Sequence, residues 1–278
     1  MDRPMNRLAR TIAALLLVAA LGGGRAHAAD RDNLYQVSMV VSGTAADRRA
    51  VALTQLLGAV LVKASGDPRL VNDPSLAGFA ASPGDLVDSF GYVDLMSGIA
   101  LHDEQGSYDR PNRFTVNFDP GKIDALLATL SSKPWPTPRP RLVLFVGTRK
   151  GTTVFSPSSD GDRDPGMRAA LASAAERSGV PAAFASQSAL ASAHASFTSL
   201  PTDDLWALDR EAKADGGDVA VAGTLDFSDT AFGWVVAWRM QWQGATYTWR
   251  ISGVSYDDAY RNALSGAAQV LSGHGQPE

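Results

Sequence analysis

Apolar residues recur along the chain with two periods, and the change from one to the other marks the first predicted elements. Residues 34–41 alternate apolar and polar positions and are rich in β-formers, which predicts a strand. From Leu53 to Leu61 the apolar residues follow helical spacing, and Gly66 is a typical helix end. Thr44, three residues before Asp47, predicts the helix start as a variant of the capping box.

A second group of elements completes the first half of the chain. Residues 67–84, which contain three prolines, are interpreted as a connection that holds one short helix. Residues 90–96 and 114–118 predict a pair of strands joined by a polar loop. Asp119 followed by Pro120 predicts a helix start. The predicted order is therefore β, α, β, β, α.

Four prolines around Trp135 predict a stiff, extended linker that separates two domains. Beyond it, the short apolar run 142–146 is typical of a central strand covered on both faces. The predicted division comprises a signal peptide (1–28), a first α/β domain (29–131), the linker (132–140), a second α/β domain (141–273) and a flexible tail (274–278).

The second half alternates strands and helices before it ends in a hairpin and a last helix. After a predicted edge loop at 147–164 come a helix opened by Pro165, a helix at 203–215 and an apolar strand at 219–225. Ser255 with Asp258 predicts the cap of the last helix. We therefore expect an α+β or α/β fold of two small mixed-sheet domains with helices packed on the sheets.

The hairpin carries an aromatic face. Trp234, Trp238 and Trp242 lie on one face of the first strand, because even numbers of positions separate them. After a turn at Gln243-Gly244, Tyr247 and Trp249 lie on the same face of the second strand. Core packing is the interpretation that this alternation favours. The alternative is a binding surface, because Trp is enriched where proteins contact partners. These five aromatic residues are the only binding candidates that the sequence offers.

The amino terminus resembles a secretory signal peptide. Three arginines precede an uncharged apolar run, and Ala26-His27-Ala28 predicts cleavage after Ala28. The run is too short to span a bilayer, and no other run approaches that length. With no cysteine in the chain, a soluble periplasmic protein without a lipid anchor is expected. Cleavage would remove four of 25 basic and one of 29 acidic residues, and the resulting negative charge argues against a nucleic-acid partner.

Several short motifs spread over most of the chain together resemble the uncharacterised bacterial family called domain of unknown function 2066. The matching segments are Leu34-Tyr35-x-Val37, Val60-Leu61-Val62-Lys63-x-Ser65-Gly66-Asp67, Phe114-x-Val116-x-Phe118-Asp119-Pro120, Arg139-Pro140 before Leu142-Val143-Leu144, Asp204-Leu205-Trp206, Asp218-Val219-Ala220-Val221-x-Gly223-x-Leu225, and Gly233-Trp234 with Trp238 and Trp249. The resemblance implies an exported envelope protein and carries no activity. The second half also looks like the small α/β domains of envelope assembly factors, which is an analogy of fold alone.

No motif for catalysis or metal binding is complete. The alternate carboxylates at 160–164 lack the glycine and the glutamate of a calcium loop, and the segment 147–153 lacks the order of a phosphate-binding loop. His102, His194 and His274 are not placed as metal ligands or general bases. We therefore predict no catalytic residue, no metal and no cofactor.

The hypothesis that the sequence favours is a non-enzymatic binding or scaffold protein of the periplasm, with an envelope protein as its partner and an oligomeric state that the sequence does not define. Two alternatives stay open. One is a hydrolase with a site on the loops after Val146 and Leu225, for which Asp160, Asp162 and Asp226 are the residues at hand. The other is a carrier of a small ligand, which the aromatic hairpin would hold.

Overall fold

The computed structural model describes residues 33–80, 82–98 and 109–278, and within them the chain forms two β-sheets with helices packed on both. The strands are β1 (Gln36–Ser42), β2 (Val87–Asp94), β3 (Pro111–Phe118), β4 (Leu142–Lys150), β5 (Thr153–Phe155), β6 (Ala182–Phe184), β7 (Val219–Ser228), β8 (Gly233–Trp242) and β9 (Ala245–Val254). The helices are α1 (Ala46–Ser65), α2 (Leu76–Ala80), α3 (Pro120–Thr129), α4 (Pro165–Ser178), α5 (Gln187–Ser192), α6 (Leu205–Ala214) and α7 (Tyr256–Leu271), with 3-10 turns at Pro68–Asn72 and Pro83–Leu86.

The first sheet is antiparallel, with β3 between β1 and β2. One face, which carries Phe114 and Val116, packs on α1 and α3 and forms a continuous core with them. Helix α1 buries its apolar stripe there and ends at Gly66 in the left-handed conformation, which glycine adopts without strain. The predicted order β, α, β, β, α is confirmed, with α2 and the two 3-10 turns in the connection between α1 and β2.

The second sheet is mixed and covered on both faces around its centre. Strand β4 is parallel to β6 and β7, whereas β8 and β9 continue the sheet as an antiparallel hairpin. Residues 142–148 of β4 are all buried, as expected of a central strand. Helices α4 and α7 cover one face, and α5 and α6 cover the other over β4 and β7.

The expected fold class is therefore confirmed, although only the second of the two sheets is mixed. The domain boundaries stay a prediction, but separate hydrophobic cores do lie on either side of the proline-rich segment. The predicted signal peptide and His102 lie outside the described residues. In the part of the chain that the structure describes, no helix combines the length and the apolarity needed to cross a membrane.

Three local predictions differ from the structure. The residue that caps α1 is Ala45, not Thr44, and it contributes no side-chain hydrogen bond. The segment 147–164 is not wholly a loop, because β4 continues to Lys150 and pairs with β5 in a short hairpin. The tail after Gly273 is bonded: the Gln276 amide donates to the Thr248 carbonyl, and Gln269 Nε2 donates to the Gln276 carbonyl at 3.1 Å.

Candidate functional site

Strand β1 lies at an edge of the first sheet, and its backbone is paired on one side only. The Phe118 amide donates to the Tyr35 carbonyl at 2.9 Å, and the Gly43 amide donates to the Arg110 carbonyl at 2.8 Å. Antiparallel strands bond through alternate residues, so the odd-numbered positions of β1 face β3. The backbone groups of the even-numbered positions, 36 to 42, point away from the sheet.

Side chains cap this free edge at both ends. Lys63 Nζ donates to the Gln36 carbonyl at 2.9 Å, and Arg48 donates to the Ser42 carbonyl at 2.8 Å. Between these two bonds lie the backbone N–H and C=O groups of Ser38 and Val40, for which the described residues provide no partner on the outer side. The open section of the edge is therefore short and centred on these two residues.

A cleft of about 420 Å³ runs along the open section. Its walls come from both halves of the protein, since one is the edge of β1 with the last turns of α1 and the other is the exposed surface of α4. The lining residues are 36–40 of β1, Ala59 and Lys63 of α1, Arg113 and Thr115 of β3, and Ser173, Glu176 and Arg177 of α4. The cleft thus offers an unpaired strand edge at the bottom of a groove.

Lys63 is the most perturbed side chain in the cleft. It is only 2% exposed, and burial lowers its pKa from 10.5 to about 8, because the charged ammonium loses hydration. Glu176 acts in the opposite direction and raises the pKa, whereas the positive charge of Arg139 lowers it further. Lysines are seldom buried without a partner, and a perturbed group that lines a cleft is a reason to consider a functional site.

Arg139 fixes the two helices that form the walls of the cleft. Its guanidinium donates to the Ala64 carbonyl at the end of α1 at 3.0 Å, and to the carbonyls of Ser178 and Gly179 at the end of α4 at 3.1 and 3.3 Å. It also lies 4.3 Å from the ring centre of Trp135. A cation is favourable at the carbonyl end of a helix, and here one side chain serves two such ends. The proline-rich segment therefore holds the two halves together instead of acting as a free spacer.

The predicted aromatic residues of the hairpin lie in the core of the second sheet. Trp238 is fully buried, Trp234 and Trp249 are buried, and Trp242 and Tyr247 are partly buried against the same core. Trp249 Nε1 donates to the Asn262 carbonyl on α7 at 3.2 Å, so its polar atom is used within the protein. Trp234, Trp238 and Trp249 of this face are thus core residues, while Trp242 and Tyr247 keep part of their surface exposed.

The loops after β4 and β7 carry the residues considered for a hydrolase. Arg149 Nε donates to Asp226 Oδ1 at 2.9 Å, a second guanidinium nitrogen binds the other carboxylate oxygen, and these bonds hold the pKa of Asp226 below its usual value. Asp160 accepts from the backbone amide of Gln187 at 2.9 Å, while Asp162 is exposed on the same loop. A groove of about 500 Å³ lies beside Asp226 on the open face of β7 to β9. Asp160 and Asp226 thus have structural partners within the protein.

The two histidines among the described residues, His194 and His274, have different surroundings. Ser199 donates to Asp203 at 2.9 Å, but His194 approaches Ser199 through its backbone carbonyl, and the His194 ring contacts the Ser192 carbonyl. His274 lies between Ser272 and Asp67, with Nδ1 at 2.8 Å from Ser272 Oγ and Nε2 at 3.7 Å from Asp67 Oδ2. The Asp67 carboxylate also accepts hydrogen bonds from Arg69 on both oxygens, so it is shared between Arg69 and His274. Among the described residues, no group of three His, Asp or Glu side chains is placed to hold a metal ion.

Sequence reasoning missed the cleft, although one signal for it was present. Lys63 follows Leu56 and Val60 at i+7 and i+3 on the buried stripe of α1. A lysine on an apolar stripe indicates a buried amine that needs a partner. The partner, the Gln36 carbonyl, could not be predicted, because the edge position of β1 depends on the order of the strands.

Comparison with known proteins covers the first sheet and leaves the second without a match. A family model described as "Domain of unknown function (DUF8605)" matches residues 28–136. This part of the chain is therefore similar to an uncharacterised family, as expected, but not to domain of unknown function 2066, the family that its motifs resemble. Searches of curated proteins and of solved structures find no significant match.

Proposed function

We propose that the protein is a non-enzymatic binding protein that takes up an extended segment of a partner protein as an additional strand on β1. The observation that carries the proposal is the open section of the β1 edge, where the backbone groups of Ser38 and Val40 face the cleft. Unpaired strand edges are templates for another chain, and main-chain hydrogen bonds supply affinity in this mode of recognition.

The shape of the cleft favours a single strand over a second sheet. Helix α4 stands opposite β1 and closes the side from which a whole sheet would approach. Arg139 ties the ends of α1 and α4 to each other, so the width of the cleft is set by the fold of the protein. A preformed groove loses less conformational entropy on binding than one that must be ordered.

The proposal is tested with the pair Val40→Pro and Val40→Ala. The amide of Val40 points away from β3, so proline should be tolerated by the first sheet while it removes a donor that the added strand needs. A photo-crosslinking amino acid at Ser38 in intact cells of the native host should yield a discrete adduct. We expect Val40→Pro to abolish this adduct and Val40→Ala to retain it, with circular dichroism as the check on folding.

Two results would contradict strand addition. One is that the crosslinker at Ser38 yields no adduct, just as it yields none at the control position Thr246 on the exposed surface of β9. The other is an adduct of equal yield in the folded Val40→Pro variant, because such a partner would not use the edge of β1.

We also propose that the protein acts in the periplasm after cleavage behind Ala28. The charged, apolar and small-residue sections of the first 28 residues support this location, and the family match begins at residue 28, where the predicted leader ends. The test is mass spectrometry of the protein from periplasmic extract of its native host. An amino terminus at Ala29 is expected, and an intact Met1 terminus in the membrane or cytoplasmic fraction would contradict the proposal.

A further inference from the structure

Building on the proposed strand addition, we infer that the cleft selects an acidic segment and that Arg113 and Arg177 are the residues that determine this selectivity. Three cations, Lys63, Arg113 and Arg177, line the cleft, and among the described residues that line it Glu176 is the only acidic one. The cleft is therefore more positive than the chain as a whole, which is formally negative.

The four charged residues of the cleft differ in whether they already interact with another charge. Glu176 interacts electrostatically with Lys63, so the one acidic residue compensates for the buried ammonium. Arg113 and Arg177 are exposed, and neither forms an ion pair or a side-chain hydrogen bond with the residues that the structure describes. Two guanidinium groups are thus left for a ligand, and guanidinium pairs well with carboxylate because it donates two parallel hydrogen bonds.

The position of Arg113 places one of these charges at the open section of the edge. Arg113 pairs with Val40 across β1 and β3, at the opposite end of the lining section from Gln36 and Lys63. Four residues of strand separate these ends, a distance of roughly 13 Å at the rise of an extended chain. An added strand would pass from the Lys63 end to the Arg113 end with Arg177 of α4 beside it.

The same charges argue against a second copy of this chain as the occupant. Two such edges facing each other would bring two basic clefts together, and like charges at close range oppose association. Helix α4 also stands in the way of a neighbouring sheet. An acidic strand from another protein satisfies both the shape and the charge.

The test uses two labelled synthetic octapeptides of alternating threonine and valine that differ only at two positions, which are glutamate in one and lysine in the other. Fluorescence anisotropy with the mature protein should give about tenfold tighter binding of the glutamate peptide, the effect expected of two partly exposed ion pairs. The double variant Arg113→Glu/Arg177→Glu should reverse the preference. The matched control Arg210→Glu/Arg250→Glu changes the net charge equally at exposed positions outside the cleft and should keep the preference for glutamate.

The outcomes separate this inference from the function on which it rests. If both peptides bind equally and Val40→Pro loses both, acid selectivity is overturned and strand addition stands. A preference lost to the same extent in the control double variant also overturns it, because the effect would then come from net charge. If neither peptide binds, the proposed strand addition itself is contradicted.

Discussion

The outer strands of the two sheets differ in what lies beside them. In the second sheet, β5 and β6 pair with the outer side of β4, and at the other end the tail residue Gln276 donates to the Thr248 carbonyl of β9. In the first sheet, two side chains cap the ends of β1 and leave Ser38 and Val40 open to the cleft. Natural proteins protect free edges, so an edge that stays open inside a groove is a candidate for pairing with another chain.

The sheets also differ in how far helices cover their faces. The tryptophans of the β8–β9 hairpin pack on α7, so this sheet uses its largest side chains for stability. On the first sheet, α1 and α3 cover one face, and the outer face keeps Val40, which is 58% exposed. We propose on this contrast that the second sheet serves stability and the first serves binding, and the following changes test that division.

Trp238→Ala should have the largest effect on stability. The side chain is fully buried and lies so close to β7 that a Cβ atom at Gly223 would come within 2.0 Å of its Cζ3 atom. Truncation removes apolar burial and leaves a cavity, so the free energy of unfolding should fall by about 4 kcal/mol. Urea denaturation followed by circular dichroism measures the change.

Trp206→Ala is the matched control, because Trp206 on α6 is 56% exposed. Its truncation should alter the free energy of unfolding by less than about 0.5 kcal/mol. Equal losses in the two variants would show that the hairpin face is not the core of the second sheet, and the contrast between the sheets would fail.

Arg139→Met should have the next largest effect on stability. It removes hydrogen bonds between the half of the protein that contains the first sheet and the half that contains the second. The change keeps much of the apolar stem but leaves the carbonyls of Ala64, Trp135, Ser178 and Gly179 without the guanidinium that binds them. Loss of a buried, charged network should lower the free energy of unfolding by about 3 kcal/mol. It should also lower the affinity of the cleft for any ligand, because the ends of α1 and α4 are no longer bound to the same side chain.

Arg141→Met provides the reference for this change, since Arg141 is exposed and close in sequence. It should leave stability and binding almost unchanged. Arg139→Lys should recover only part of the loss, because one ammonium group cannot reach both helix ends as a guanidinium does. Full recovery by lysine would mean that charge alone, without the geometry of the bonds, joins the two halves.

Much of the fold follows from local patterns in the sequence. The alternation of β8 and β9 and the buried run of β4 identified their strands, and the turn at Gln243-Gly244 has the positive φ values of a tight hairpin. Asp119 and Ser255 cap their helices as predicted, with hydrogen bonds from the amides of Lys122 and Asp258. These features depend on neighbours within a few residues, so one sequence contains the information for them.

The cleft could not be predicted in this way, because its parts are distant in sequence. Pairing of β3 between β1 and β2 is what leaves β1 at an edge, and α4, which forms the far wall, begins more than a hundred residues later. Arg139 was interpreted as part of a linker, and only the packing of two helix ends reveals its role. The prolines around Trp135 predict a boundary, but they do not show which backbone carbonyls Arg139 binds.

The smallest expected effect is a dependence of stability on pH that belongs to the cleft of the first sheet. Burial holds the pKa of Lys63 at about 8 in the folded protein, against 10.5 for the free side chain. Between these values the unfolded chain binds the proton that the folded chain has released, so the free energy of unfolding rises with pH by up to about 1.4 kcal/mol per unit. Relative to Lys63→Met, the wild type should gain about 2 kcal/mol between pH 7.5 and 9.5.

Urea denaturation of the wild type and of Lys63→Met at pH 7.5, 8.5 and 9.5 measures this difference in the free energy of unfolding. The contributions of the other titrating groups are the same in both proteins and cancel. Lys133→Met serves as the control, because Lys133 is exposed and its removal should leave the pH profile parallel to that of the wild type. A parallel profile for Lys63→Met as well would mean that the amine stays hydrated at the mouth of the cleft. In that case the assignment of a buried cation to the end of the β1 edge would have to be abandoned.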